Sequence, residues 1–183
     1  MALCAEQSRC PRLESTLFAA TRPSFPITDV PTPARPPGAR FKRAITPAEL
    51  DHLHRNTVVS GLGIEFTHVG EDTLSARMPV DRRTVQPAGI LHGGSSVTLA
   101  ETLGSVCAWM SLDEGWNAVG LDINANHIRA VREGWVHGHC RPVHVGRSTQ
   151  VWQIEIEDEN GRIVCTSRIT MAVVPSQKVA RPA

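Results

Sequence analysis

Apolar and polar positions change their period twice along the chain. Leu74, Ala76, Met78 and Val80 alternate with polar neighbours, the two-residue period of a strand with one buried face, so Leu62 to Val69 and Thr73 to Val80 are predicted as strands joined at Gly70-Glu71-Asp72. The period then lapses. From Ser95 to Leu112 there is no proline, and Val97, Leu99, Ala100, Leu103, Val106, Cys107, Ala108, Trp109 and Met110 cover nearly the whole circumference, which predicts a long helix that is buried rather than amphipathic. Strand-like runs follow at about Ala118 to Val131, Gly134 to Val145, Thr149 to Asp158 and Arg162 to Val174. In the third, Trp152, Ile154 and Ile156 alternate with Val151, Gln153, Glu155 and Glu157, and Glu159-Asn160-Gly161 marks a hairpin turn. These four runs predict an antiparallel meander.

Upstream, Thr46-Pro47-Ala48-Glu49 reads as a capping box with proline at the first helical position, opening a short helix to about Asn56. The element order predicts an α+β fold, a six-stranded antiparallel sheet wrapped around one long central helix, because helix and inner sheet face are both apolar. A parallel βαβ fold needs more helices.

Composition divides the 183 residues at about position 40. Residues 1 to 40 hold 7 of the 13 prolines and a charge of +2, with too little apolar surface to offset the entropy of ordering, so they are expected to be a disordered Pro/Arg-rich extension. Residues 41 to 183 carry −1 and form the expected domain. The total of +1 offers no basic field for a phosphate backbone, and 4% aromatics with no tyrosine offers no base-stacking platform, so nucleic acid is not an expected partner. No apolar run reaches membrane-spanning length, and the N-terminus lacks a secretory pattern. Five cysteines, an odd number without a CxxC pair, argue against a disulfide framework. A reducing cytoplasmic setting is expected.

Glu101 is the one acid in the apolar helix, and burying an unpaired carboxylate is costly, which marks a candidate site unless the group pairs with a buried arginine or points out at a helix end. Just upstream, Gly93 and Gly94 can bring bare N–H groups to a helix N-terminus beside His92 and Gln86, a device for polarising a carbonyl. His137 and His139 fall on one face of a strand with His144 nearby, but no carboxylate or cysteine set accompanies them, and no metal site is expected. His52 and His54 on the first helix read as surface groups, whereas Trp116 and Trp135 lie near turns where they could line a pocket mouth or an oligomer face.

Three separated stretches carry a resemblance. They are Gln86-Pro87-x-Gly89-x-Leu91-His92-Gly93-Gly94 running on to Leu99-Ala100-Glu101-x-x-Gly104-Ser105, then Gly120-Leu121-x-Ile123-Asn124-Ala125-Asn126-His127, then Val151-Trp152-Gln153-Ile154. From about Phe41 to Val174 the chain resembles the hotdog-fold acyl-CoA thioesterases, most of all the aromatic-acyl subgroup that includes the 1,4-dihydroxy-2-naphthoyl-CoA thioesterase of menaquinone synthesis and the enterobactin-proofreading thioesterase. The resemblance implies hydrolysis of an aryl-CoA to free acid and coenzyme A, with no cofactor beyond the coenzyme A of the substrate. It places Glu101 on the catalytic carboxylate, acting as general base or as nucleophile. Gln86 and the Gly93 N–H fall on the groups that polarise the thioester carbonyl, His92 on a neighbour that positions the thioester, and Ser105 on a helix position near the water path.

The same resemblance runs the coenzyme A arm past Gly120, past His127, Ile128, Arg129 and Ala130, and past the loop His144, Val145, Gly146, Arg147, Ser148 and Thr149, where Arg129 and Arg147 offer forked donors to phosphate. It implies a homo-oligomer, dimer or dimer of dimers, whose active site crosses the dimer interface, and an aryl carrier protein as a further partner. Two alternatives remain open at this stage: an enoyl-CoA hydratase of the same fold, whose usual Asp and His motif is not found here, and a non-catalytic acyl-CoA or carrier-protein binding module.

Overall fold

The computed structural model describes residues 40–176; the expected extension, apart from Arg40, lies outside them. Helix α1 (Pro47–Leu53) starts where the capping box placed it: the Thr46 N–H donates to Glu49 Oε2 at 2.8 Å, and the Glu49 N–H donates back to Thr46 Oγ1 at 3.3 Å. It stops three residues before Asn56, which takes a left-handed φ of 59°. A four-residue helix not expected from the sequence, α2 (Val58–Gly61), follows on a second capping box between Thr57 and Ser60. That Thr-x-x-Ser spacing was the missed signal.

Six strands follow: β1 (Glu65–Val69), β2 (Leu74–Pro79), β3 (Trp116–His127), β4 (Trp135–Val145), β5 (Thr149–Asp158) and β6 (Ile163–Pro175), with α3 (Gly93–Met110) between β2 and β3. They form one sheet in the order β1-β2-β4-β5-β6-β3, antiparallel at each neighbouring pair. The sheet and central helix are as expected, but the four-strand meander is corrected. Only β4, β5 and β6 run as a meander; β3 crosses to the far edge and pairs with β6 from Trp116↔Pro175 to His127↔Cys165. Sequence periodicity reports which face a residue takes and is blind to which neighbour a strand finds.

One face of α3 lies on the sheet, burying Leu99, Leu103, Cys107 and Met110 against Ile154, Ile169 and Met171. Two glycines permit the close approach: a β-carbon on Gly104 would collide with Ile169, and one on Gly138 would lie 2.6 Å from Leu103 Cδ1. The C-terminal end of α3 is tied to β5 by a buried polar chain. Trp152 Nε1 donates to Gln150 Oε1 at 3.0 Å, Gln150 Nε2 donates to Ser111 Oγ at 2.9 Å, and Ser111 Oγ donates to the Ala108 carbonyl at 2.7 Å. Each polar group is satisfied, so Trp152 contributes roughly 2 to 3 kcal/mol of burial without a desolvation cost at its indole nitrogen.

Candidate functional site

Helix α3 is not buried all round. Val97, Thr98, Glu101, Ser105 and Trp109 form a stripe at helical spacing that the chain's own sheet leaves half-exposed. Glu101 is therefore half-buried, a correction to the fully buried acid expected from the sequence, and among the described residues it has no buried arginine partner. Its Oε1 accepts a hydrogen bond from Ser105 Oγ at 3.3 Å. Gly120 of β3 faces the same carboxylate, close enough that a β-carbon there would lie 3.0 Å from Oε1. Glu101 opens into a groove of about 350 Å³ with two walls. One is α3, with Val97, Glu101, Ser105 and Val106; the other is the α1–α2 segment, with His54, Val58 and Val59. His54 is thus half-buried on the Glu101 groove and not a surface group, whereas His52 is exposed.

The loop before α3 is anchored by residues the sequence reading passed over. Thr84, only 1% exposed, donates through Oγ1 to the Pro79 carbonyl at 2.7 Å, and its own carbonyl accepts from the His92 N–H at 2.8 Å and from Ser95 Oγ at 3.2 Å. The turn closes with Gln86 N–H to Ile90 O at 2.9 Å and Gly89 N–H to Gln86 O at 2.8 Å, and Leu91 N–H reaches Val131 O at 2.7 Å. His92 is the N-cap of α3, its Nδ1 accepting from the Gly94 N–H at 2.8 Å. That bond holds the ring proton on Nε2, which leaves His92 an outward donor. The Gly93 N–H has no partner among the described residues and sits at the positive end of an 18-residue helix.

Against Gly93 stands His127, whose Nε2 would lie 2.8 Å from a β-carbon there. Gln86, Gly93, His127, Ile128, Arg129 and Ala130 share a second hollow of about 270 Å³. The loop Val145, Gly146, Arg147 and Ser148 borders a third, of about 760 Å³, with Lys42, Trp116 and Gln150. The sixteen expected site residues therefore form two groups within one chain. Gly120 lies one step along β3 from Val119, which pairs with Ala172, and Ala172 also pairs with Thr149, so Glu101, Gly120 and the His144 to Thr149 loop belong to one end of the sheet. Gln86, Gly93 and His127 to Ala130 belong to the other, with His127 seven residues beyond Gly120 on β3, about 23 Å at ~3.3 Å per residue.

Other candidates resolve simply. His137 and His139 pair across strands with Glu157 and Glu155, carboxylates the linear sequence did not bring near them; His139 Nδ1 lies 3.0 Å from Ser75 Oγ, and among the described residues no three His, Cys, Asp or Glu side chains gather to hold a metal. Trp135 stacks under Arg77, 4.2 Å from the guanidinium carbon, and Trp116 is 45% exposed beside the third hollow. Cys107, Cys140 and Cys165 are buried and unpaired, and burial pushes the thiols of Cys107 and Cys165 up, away from nucleophilic thiolate. Among the described residues no helix is long and apolar enough to cross a membrane.

Residues 88–165 match the thioesterase superfamily model, and over 134 residues the chain is 52% identical to the 1,4-dihydroxy-2-naphthoyl-CoA hydrolase of Escherichia coli (strain K12), a span of 73% of this chain and 98% of that one. The chain belongs to the thioesterase superfamily. A second thioesterase relative, the proofreading thioesterase EntH of Cronobacter turicensis, is 50% identical over 73% of this chain and 98% of its own. Among solved structures, a thioesterase from Haemophilus influenzae shares 48% identity with a TM-score of 0.74, covering 76% of this chain and 99% of that one. A mutant thioesterase from Pseudomonas aeruginosa shares 42% with a TM-score of 0.73, covering 74% and 99%. The hotdog fold and thioester hydrolysis follow from these likenesses.

Proposed function

We propose that this thioesterase hydrolyses an aromatic acyl-CoA to the free acid and coenzyme A, with Glu101 as the acting carboxylate and the site completed by a second copy of the chain. The observation that carries the reading is the split site. Glu101, over Gly120, and the carbonyl-polarising pair Gln86 and Gly93, beside His127, stand seven residues apart along β3. β3 is a 12-residue edge strand with exposed Val119 and Leu121, whereas the opposite edge, β1, is short and bulged between Phe66 and His68. A long apolar edge invites pairing. Antiparallel pairing of two β3 strands about a two-fold axis between Gly120 and His127 brings Glu101 of each copy to Gln86 and Gly93 of the other. It also brings the Arg147 loop of one chain to Arg129 of the other, so that one coenzyme A arm meets both.

In that arrangement the Gly93 N–H and the Gln86 amide take the charge that develops on the thioester oxygen, and His92 donates beside them. Glu101, steadied by Ser105, either draws a proton from water that adds to the carbonyl or adds to it directly and is released by water. Both routes end with the carbon–sulfur bond broken and the proton on the departing thiol. The apolar valines on the Glu101 groove suit a ring. The reaction needs no cofactor, the buried free cysteines suit a reducing cytoplasm, and an aryl carrier protein presenting the same thioester is a second acyl donor.

The test is thiol release from aromatic, short-chain and long-chain CoA esters. A marked aryl preference, with Glu101→Gln folded and reduced about a thousandfold or more, supports the reading; a long-chain preference, or an unimpaired Glu101→Gln, overturns it.

A further inference from the structure

Two hollows adjoin at His54. The Glu101 groove and a neighbour of about 300 Å³ share His54, Ser105 and Val106, the neighbour extending to Leu50, Leu53 and Trp109. His54 is the C-cap of α1, and its ring leans on Phe66 with centroids 5.2 Å apart. Its Nδ1 lies 2.8 Å from the Leu50 carbonyl oxygen. A carbonyl only accepts, so Nδ1 carries the proton, and Nε2 of the neutral ring is left as an acceptor.

The hydroxyl hydrogens on the Glu101 groove are already donated, although each hydroxyl oxygen, like Glu101 Oε2, keeps lone pairs that can accept. Thr98 Oγ1 donates to Gly94 O at 2.9 Å, Thr102 Oγ1 donates to Thr98 O at 2.7 Å, and Ser105 Oγ donates to Glu101 Oε1 at 3.3 Å. Nε2 of His54 has no partner among the described residues. It is an unfilled acceptor on a residue of the wall facing α3, in a groove lined otherwise by Val58, Val59, Val97 and Val106 and by the polar Thr98, Glu101, Thr102 and Ser105.

We infer that His54 is a specificity-determining residue, accepting through Nε2 a hydrogen bond from a ring hydroxyl on the acyl group whose thioester carbonyl sits at Glu101. This rests on the aryl-CoA reading above. The hydroxyl belongs to a ring position remote from the thioester, because Glu101 and His54 stand on opposite walls of the groove and the ring spans between them.

The experiment compares kcat/KM of the full-length protein for benzoyl-CoA and for 2-, 3- and 4-hydroxybenzoyl-CoA, in wild type, H54N and H54Q, with thermal unfolding as the check on fold. Asparagine keeps a donor for the Leu50 carbonyl and has no acceptor at the Nε2 position, whereas the glutamine amide oxygen reaches it. Wild type is expected to favour a 3- or 4-hydroxy ester over benzoyl-CoA by about tenfold. H54N is expected to bring that ratio near one, and H54Q to restore part of it. A purely structural role predicts the opposite order, with H54N the better variant and the ratio unmoved. A wild-type ratio near one, or a ratio kept in H54N, overturns the inference while aryl-CoA turnover leaves the broader reading standing; absence of aryl-CoA turnover in wild type overturns both.

Discussion

Gly120 and Glu101 stand so close that a β-carbon on the glycine would lie 3.0 Å from the carboxylate Oε1. Strand β3 thus forms the floor beneath the proposed catalytic acid, and only a residue without a side chain leaves the carboxylate in its rotamer beside Ser105. Gly120→Ala is expected to displace Glu101 by a few tenths of an ångström and Gly120→Val by more. Turnover number should fall about tenfold for alanine and about a hundredfold for valine, KM changing less, since misplacement of a reacting group acts on the chemical step. Steady-state kinetics on an aryl-CoA checks this; equal kcat in all three proteins would show that the contact does not matter.

The proposed two-chain site makes a second expectation. Glu101→Gln and Gln86→Ala are each expected to be nearly inactive. Refolded together in equal amounts, they should recover about a quarter of wild-type activity, because half the dimers are mixed and each mixed dimer holds one intact site. Activity equal to the average of the two separate variants would place the whole site within one chain.

Loss of the β3 edge should remove activity at a distance from the chemistry. Leu121, 61% exposed on that edge, becomes a charge in Leu121→Glu, which is expected to shift the sedimentation coefficient to that of a monomer and to lower thiol release at least a hundredfold. A monomer with undiminished turnover would refute the composite site.

Arg129→Ala and Arg147→Ala are expected to raise KM for a CoA ester by about three- to tenfold each, with kcat little changed, because a phosphate contact far from the carbonyl binds ground state and transition state alike. The penalty should shrink as salt rises. For an aryl ester of a short thiol, which has no phosphates, neither substitution should matter.

Asp158 closes the β5–β6 turn. Its carboxylate accepts from the Asn160 N–H at 2.9 Å and from Arg162 N–H at 3.1 Å and Nε at 2.8 Å, and the Arg162 side chain holds its pKa below the ordinary value. A carboxyl lowered on folding adds stability that is complete above about pH 4 and disappears as pH falls through the lowered native value. Melting temperature between pH 5 and pH 2 should therefore fall less steeply in Asp158→Asn than in wild type, the two curves converging at the acid end.

The local elements were legible because their causes are local. The Thr46 and Glu49 capping box is a matter of three-residue spacing, the alternation of Trp152, Ile154 and Ile156 follows from the pleat, and Asn160-Gly161 carries its own turn preference. Those signals sufficed for the fold class, and the Gln86 to Glu101 motif supplied the candidates for the site. Tertiary structure decided the rest. Strand pairing places β3 at the edge beyond β6 and so parts Glu101 from Gln86 within one chain, which periodicity cannot report because it encodes a face and not a neighbour. Packing also leaves one stripe of α3 without cover from the sheet and sets His54 across from Glu101, although 47 positions separate them in sequence. A side chain's chemistry is written in its own residue, but the groove it faces is made by segments distant along the chain, and only folding brings them together.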